Sequence, residues 1–133
     1  MVTAKASMVP AQSKPILLVE DNADTQTALK VLPELYGYAV VIAGDGQDAL
    51  DRLRGGLQPG VIVLDLMMAR KDGFQFRAEQ LADPQLAPIP VIIASGDGNV
   101  ERKALALGVY AYVHKPIEID EFLELIGRFY PAT

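Results

Sequence analysis

Five short apolar segments, separated by longer stretches of mixed polarity, most constrain the fold of this chain. The segments cover residues 16–20, 38–43, 61–65, 91–95 and 110–114. Strands that alternate with helical stretches are typical of an α/β domain with a parallel sheet. The first, third and fourth segments are apolar almost throughout, which predicts central strands covered on both faces. The other two are more mixed and are predicted at the edges.

The stretches between the segments carry the start and stop signals of helices. Capping residues around Asn22 predict a first helix that runs through about Tyr36 and is closed by Gly37. Pro33 is expected to kink or shorten its last turn, since proline removes a backbone hydrogen bond. Four further helices are predicted within residues 45–56, 72–84, 99–108 and 118–130.

Composition excludes several classes of function. The chain has 133 residues, the size of one domain, and no cysteine, so disulfides and thiolate metal sites are excluded. A net charge of −5 and the lack of a basic stripe argue against nucleic-acid binding. No apolar run reaches the roughly 18 residues of a membrane span, and no signal peptide is apparent. We expect a cytoplasmic protein without membrane contact, with a disordered tail over 1–13, one domain over 14–130 and a short tail over 131–133.

Polar residues follow four of the five apolar segments. Glu20 and Asp21 end the first, Asp65 the third, Ser95 the fourth, and Lys115 follows the fifth. The carboxyl ends of parallel strands lie at one edge of a sheet, where ligands bind in open α/β folds. A single acidic residue after a strand is usually a helix cap or a solvated group. The coincidence of all four strand ends instead predicts one common site.

The residue types at this edge indicate phosphoryl-transfer chemistry. Three carboxylates without histidine or cysteine make a hard oxygen site that suits Mg²⁺. A lysine ammonium suits a phosphate oxygen, and a serine hydroxyl adds a hydrogen-bond donor. A metal, a lysine and a hydroxyl around one aspartate predict that Asp65 is a nucleophile that forms an aspartyl phosphate.

Four motifs resemble the receiver domain of two-component response regulators. They are LLVEDN, VLDLMMARKDG, IIASG and YVHKP, and the resemblance covers about residues 14 to 130. It implies a flavodoxin-like, doubly wound (βα)5 fold with five parallel strands in the order 2-1-3-4-5. It also implies a signalling module rather than an enzyme, one that catalyses only its own phosphorylation and dephosphorylation.

The resemblance assigns a role to each residue of the predicted site. It implies that Asp65 accepts the phosphoryl group, and that Glu20, Asp21, Asp65 and the main-chain carbonyl of Met67 bind Mg²⁺. No other cofactor is expected, since no glycine-rich phosphate loop follows the first strand. The side chains of Met67 and Met68 are expected to fill the apolar underside of their loop.

Three more residues are implied to bind or sense the phosphoryl group. Lys115 would bind it, Ser95 would sense it, and Tyr112 would change rotamer on activation, although Tyr112 could instead be a half-buried edge-strand aromatic. The bond between Lys115 and Pro116 is expected to be cis.

The resemblance implies partners on two sides of a signalling pathway. A histidine kinase or histidine phosphotransfer protein would supply the phosphoryl group, and a downstream protein would bind the face formed by the fourth helix, fifth strand and fifth helix. Val100, Val109, Tyr112 and Ile119 are expected on that face. The chain is expected to be a monomer or a weak, phosphorylation-dependent dimer.

Two positions, Ala69 and Gly96, depart from the family pattern, and two alternative functions stay open. Ala69 stands where family members usually carry proline, which predicts a less rigid loop after the third strand. A receiver-like binding module that signals without phosphorylation is one alternative, although the intact set of site residues disfavours it. A phosphohydrolase is the other, but such an enzyme commonly needs an aspartate where Met67 stands.

Overall fold

A computed structural model of the chain describes residues 13–109 and 111–130, and within these ranges five strands alternate with five helices. The predicted tails, apart from Ser13, and Tyr110 of the fifth predicted strand lie outside the described residues. The strands are β1 (Ile16–Val19), β2 (Val40–Ala43), β3 (Val61–Asp65), β4 (Val91–Ser95) and β5 (Ala111–His114). The helices are α1 (Ala23–Leu35), α2 (Gly46–Arg54), α3 (Gly73–Ala82), α4 (Val100–Ala106) and α5 (Ile119–Gly127).

The strands form one parallel sheet in the order β2-β1-β3-β4-β5. This confirms the α/β fold, the strand order and the edge positions of β2 and β5. Asp65 pairs with Ala94, and Ser95 pairs with His114, so the ends of three neighbouring strands lie side by side. The register therefore brings the polar residues after these strands to one edge of the sheet.

Two apolar layers cover the two faces of the sheet. Alternate residues of a strand point to opposite faces, and in β1 Leu17 and Val19 belong to one layer while Ile16 and Leu18 belong to the other. The first layer is completed by side chains of α2, α3 and α4. The second is completed by side chains of α1 and α5. The two layers bury both faces of β1, β3 and β4, as their apolar sequences predicted.

Side-chain caps begin four of the five described helices, α1, α2, α3 and α5, after the carboxyl ends of the preceding strands. The Asn22 side chain accepts a hydrogen bond from the Thr25 N–H at 2.9 Å at the start of α1. Asp45 caps α2 in the same way, and Asp72 and Gln75 form a reciprocal capping box at the start of α3. The polar residues that follow the strands thus start the helices that return across the sheet. At its other end α1 stops at Leu35, one residue earlier than predicted.

Two buried polar side chains of α3 hold this helix to its neighbours. The Arg77 guanidinium donates hydrogen bonds to the main-chain oxygens of Leu107 (3.0 Å) and Gly108 (3.2 Å), just beyond α4. It also donates to the side-chain oxygen of Gln80 at 2.8 Å. Gln80 in turn donates to two carbonyls of the segment that leads into β4. A buried cation thereby links α3 to the end of α4.

Replacing Arg77 by methionine is expected to lower the free energy of unfolding by about 2 kcal/mol, since the change leaves buried acceptors without a donor. Urea denaturation followed by circular dichroism measures the loss. Arg102→Met, on the exposed side of α4, is the matched control and should change stability by less than about 0.5 kcal/mol. Equal losses in the two variants would contradict the structural role of Arg77.

Candidate functional site

Charged residues from three strand ends meet at the carboxyl edge of the sheet. Carboxylate oxygens of Glu20, Asp21 and Asp65 all lie within 4.8 Å of one another. The Lys115 ammonium nitrogen is 2.7 Å from a Glu20 carboxylate oxygen and 3.4 Å from Asp65 Oδ2. Residues that are 95 positions apart in the sequence are therefore in direct contact. The predicted convergence of these four residues is present in the structure.

Glu20 is the most enclosed of the three acidic residues. Its exposed fraction is 2%, whereas Asp21 is open to solvent. One carboxylate oxygen accepts the hydrogen bond from Lys115, and the other accepts one from the main-chain N–H of Asn22 at 3.1 Å. A buried carboxylate is costly unless it is paired and hydrogen-bonded. Lys115 and the start of α1 supply this compensation.

Gln26 is a residue of the site's surroundings that sequence reasoning missed. Its side-chain amide donates a 2.6 Å hydrogen bond to the main-chain oxygen of Glu20, where β1 ends. Gln26 lies one helical turn after the cap Asn22, and this spacing is the signal that could have indicated its contact. The bond ties the first turn of α1 to the acidic end of β1.

Asp65 lies beside both the acidic pair and the lysine. It is only 6% exposed, and its Oδ1 accepts a hydrogen bond from the main-chain N–H of Met67 at 3.2 Å. Burial, together with the nearby charge of Glu20, raises the pKa of the Asp65 carboxyl to about 6, against the lowering effects of the Met67 N–H and the Lys115 charge. Near neutral pH most of this carboxyl is ionised and can act as a nucleophile.

The Lys115 side chain stays protonated and positively charged beside the two buried carboxylates. Burial acts to lower the pKa of its ammonium group, but the hydrogen bond to Glu20 and the charges of Asp65 and Glu20 outweigh burial, so the pKa is raised. Its main-chain N–H donates to the Ser95 carbonyl at 2.8 Å, and the bond to Pro116 is cis as predicted. The end of β5 thus holds the ammonium group against both carboxylates.

Ser95 ends β4 beside this cluster and is almost fully buried. Its hydroxyl oxygen accepts a hydrogen bond from the Asp97 N–H at 3.1 Å. The hydroxyl can still donate its own proton to another acceptor. The Asp97 side chain pairs with Lys103 of α4 at 2.5 Å, which lowers the pKa of Asp97. Ser95 is therefore linked to the first turns of α4.

Tyr112 lies at the protein surface and not in the charged cluster. Its exposed fraction is 38%, and it lines a shallow groove of about 290 Å³ together with side chains of α5. Val100 and Val109, which were expected on the same partner-binding face, are buried in the layer beneath α4, so this expectation is wrong for both. Ile119 is partly buried against the opposite layer. Of the four expected residues, Tyr112 alone is classed as exposed.

The two methionines after Asp65 have different surroundings. Met68 is partly buried against the apolar layer, as predicted, but the Met67 side chain is 67% exposed, so the prediction that it fills the underside of the loop is wrong. A metal-binding role of the Met67 carbonyl stays a prediction.

The donor set of the cluster fits a hard divalent cation. It consists of carboxylate oxygens, one of them on the exposed Asp21, which are the ligands that Mg²⁺ prefers. The cluster therefore fits the Mg²⁺ site of a receiver domain.

Among the helices of the described residues, none is long and apolar enough to cross a bilayer.

Comparisons with known proteins agree with the geometry. The family model for the response regulator receiver domain matches residues 16–127. The chain is 36% identical over 114 residues to a hybrid signal transduction histidine kinase of Dictyostelium discoideum, covering 84% of this chain and 7% of that protein. It is 32% identical over 112 residues to the transcriptional regulatory protein PdtaR of Mycobacterium tuberculosis, covering 84% of this chain and 54% of PdtaR. The chain thus spans about half of PdtaR and a small part of the kinase.

A solved structure has the same architecture. The phosphorylated cyanobacterial phytochrome response regulator RcpA superposes with a TM-score of 0.73 at 31% identity. The match covers 89% of this chain and 94% of that one. The similarity therefore extends over nearly the whole of both chains.

Proposed function

The chain belongs to the response regulator receiver domain family, and from this we propose that it is a phosphorylation-driven switch in which Asp65 accepts the phosphoryl group. The observation that carries the proposal is the position of Asp65, a buried carboxylate that lies beside Glu20 and Asp21 and 3.4 Å from the Lys115 ammonium nitrogen. The alternative binding module without phosphorylation is not favoured, because none of the groups needed for phosphoryl transfer is missing.

The proposed reaction transfers the phosphoryl group from a phosphohistidine. An Asp65 oxygen lone pair attacks phosphorus, the phosphorus–nitrogen bond breaks, and its electron pair returns to the imidazole of the donor. Lys115 donates a hydrogen bond to a phosphoryl oxygen, and the Ser95 hydroxyl donates to another. The donor is a histidine kinase or a histidine phosphotransfer protein. Hydrolysis resets the switch: water attacks the same phosphorus, the bond between phosphorus and the Asp65 oxygen breaks, and inorganic phosphate leaves the restored Asp65 carboxylate.

Mg²⁺ is the cofactor that the site suits. Glu20, Asp21 and Asp65 would hold it, together with the Met67 carbonyl. When bound, it supplies positive charge that offsets the negative charge of the carboxylates and of the transferring oxygens.

Phosphorylation is proposed to act on the partner-binding face through Ser95 and Lys115. The new charge at Asp65 gives both groups an acceptor, so Ser95 moves inward and leaves space for Tyr112 to turn toward the core. The link from Ser95 through Asp97 to Lys103 supports the participation of α4. The partner-binding face thus has two conformations, and the charge of the phosphoryl group shifts the equilibrium between them. A downstream protein then binds the face formed by α4, β5 and α5, on which Tyr112 is the residue that changes rotamer.

The setting proposed for this switch is the cytoplasm, where the domain of residues 14–130 works as a monomer or as a weak dimer that forms on phosphorylation. RcpA, whose solved structure is of the phosphorylated protein, supports phosphorylation as the signal.

Incubation with acetyl phosphate and Mg²⁺, followed by intact-protein mass spectrometry, tests the proposal. We expect a mass increase of one phosphoryl group in the wild type and none in Asp65→Asn. Omission of Mg²⁺ should suppress the increase. An equal increase in the variant would refute Asp65 as the acceptor, and no increase in the wild type would revive the binding module that acts without phosphorylation.

A further inference from the structure

We propose that the start of α2 positions the loop of residues 66–72, and that Gly46 is the residue that makes this contact possible. This segment, called here the β3–α3 loop, runs from the acceptor Asp65 to the first residue of α3, Gly73. The inference rests on the proposed function of the charged cluster. No side chain of α2 belongs to that cluster, so α2 can act on it only through the loop. Gly46 is a positioning residue in this account.

The contact between Gly46 and the loop leaves no room for a side chain. The Gly46 N–H donates a 3.0 Å hydrogen bond to the main-chain oxygen of Lys71. A Cβ atom at position 46 would lie 2.3 Å from that same oxygen and 3.1 Å from the Lys71 carbonyl carbon. Since the obstacle is backbone, any larger residue must displace the loop or the helix start.

Lys71 takes a backbone conformation that needs outside support. Its φ of 52° lies in the left-handed region, which is unfavourable for a residue that carries a Cβ atom. The Lys71 ammonium group is paired with the Glu79 carboxylate of α3, and Arg54 of α2 contacts the same carboxylate at 3.5 Å. The loop is thus fixed at Lys71 by both its main chain and its side chain.

A second contact joins the neighbouring residues of the loop and the helix start. Arg70 donates hydrogen bonds from two guanidinium nitrogens to the two Asp45 carboxylate oxygens, at 2.8 and 3.3 Å. Asp45 also caps α2 by accepting from the Asp48 N–H at 2.8 Å. Two consecutive loop residues, Arg70 and Lys71, therefore contact the cap residue Asp45 and the first residue of α2, Gly46. These contacts occur in the loop where Ala69 replaces the proline usual in the family.

The other end of the β3–α3 loop is tied to the acceptor. The Gly73 N–H donates to the Leu66 main-chain oxygen at 3.1 Å, and a Cβ atom on Gly73 would lie 2.7 Å from the Asp65 main-chain oxygen. Within the loop, the Met67 N–H donates to Asp65 Oδ1. Because only residues 68–70 separate Met67 from Lys71, we expect a displacement of Lys71 to shift the Met67 N–H relative to Asp65 Oδ1. The start of α2 thereby sets the geometry of the site.

Gly46→Ala tests the inference, with Gly44→Ala as the matched control, since nothing lies within 4 Å of a Cβ atom at position 44. In metal-free protein, we expect the Met67 amide of Gly46→Ala to exchange its hydrogen about tenfold faster. The Mg²⁺ concentration that gives half of the maximal rise in melting temperature should increase about tenfold or more, as typical for loss of a group that orients a metal ligand. Gly44→Ala should match the wild type in both measurements.

A purely structural role of Gly46 would lower the melting temperature without moving either quantity. If Gly46→Ala equals Gly44→Ala in amide exchange and Mg²⁺ dependence, the inference is overturned, whatever the melting temperature. If Gly46→Ala fails to fold, Arg70→Gln tests the inference in its place. The Arg70 side chain is 68% exposed, so its replacement introduces no clash. That variant is expected to shift both quantities about twofold to fivefold, and no shift would overturn the inference.

The wild type separates this inference from the proposed function. A wild type that is stabilised by Mg²⁺ but takes no phosphoryl group from acetyl phosphate contradicts the proposed function alone. Amide exchange and Mg²⁺ dependence of the two glycine variants then still test the inference. A wild type that is phosphorylated, with both glycine variants unchanged, contradicts the inference alone. A wild type that shows no response to Mg²⁺ contradicts the proposed function, and amide exchange in the metal-free protein then decides the Gly46 inference by itself.

Discussion

Lys115→Met is expected to slow phosphorylation by acetyl phosphate about 100-fold, because it removes a donor aimed at the charge that develops on the phosphoryl oxygens. The same change should lower the free energy of unfolding by about 3 kcal/mol, since it leaves the buried Glu20 carboxylate without its cation. Mass spectrometry over time measures the first effect, and urea denaturation measures the second.

Two further variants separate charge compensation from catalysis. Lys103→Met breaks the more exposed pair with Asp97 and should cost less than about 1 kcal/mol. Adding Glu20→Gln to Lys115→Met removes the uncompensated charge, so part of the stability should return while the rate stays low. A rate for Lys115→Met within a few-fold of the wild type would contradict the role of this lysine.

Asp65→Asn is expected to stabilise the metal-free protein near pH 7 although it abolishes phosphorylation. The folded chain raises the pKa of Asp65 from 3.8 to about 6, which corresponds to about 3 kcal/mol against the ionised carboxyl. The stability contributed by protonated Asp65 is complete below about pH 4 and is lost as the pH rises through about 6. The advantage of the variant should therefore be largest above pH 6 and vanish below pH 4.

Urea denaturation in the presence of EDTA, at several pH values between 4 and 8, measures this difference. The comparison of the two proteins cancels the carboxyl groups that they share. The exposed Asp51→Asn is the control, and should stay within about 0.5 kcal/mol of the wild type throughout. A variant that is less stable than the wild type at pH 7.5 would mean that the ionised Asp65 is favoured by its surroundings, contrary to this account.

Most of the fold follows from local patterns in the sequence. The strands β3 and β4 begin and end where predicted, because each apolar run follows a glycine or proline, Gly60 or Pro90, and ends in a polar residue, Asp65 or Ser95. The caps Asn22, Asp45 and Asp72 likewise mark helix starts that a few neighbouring residues decide. Strand order does not follow from local patterns, because it depends on contacts between distant segments. The resemblance to receiver domains supplied it.

The charged core of the site was predictable for a topological reason. Parallel strands deliver their carboxyl ends to one edge, so Glu20, Asp65 and Lys115 meet without any knowledge of loop paths. The loop contacts were not predictable, because the approach of Gly46 to Lys71 depends on how two loops pack in three dimensions.

The partner-binding face was predicted only in part for a similar reason. An apolar residue at the end of a helix or loop can point inward or outward, and periodicity over a short helix such as α4 does not decide between them. Val100 of α4 and Val109, which follows that helix, point inward, whereas Leu105 of α4 is exposed.

Locating the phosphoryl group on the chain tests the central claim most directly. The protein is phosphorylated with acetyl phosphate and Mg²⁺, reduced with borohydride, which converts an aspartyl phosphate to homoserine, and digested for peptide mass mapping. The account predicts homoserine at position 65 and at no other aspartate. Homoserine at Asp21 or another carboxylate, or a phosphoryl group on Ser95 or His114 with Asp65 intact, would contradict it.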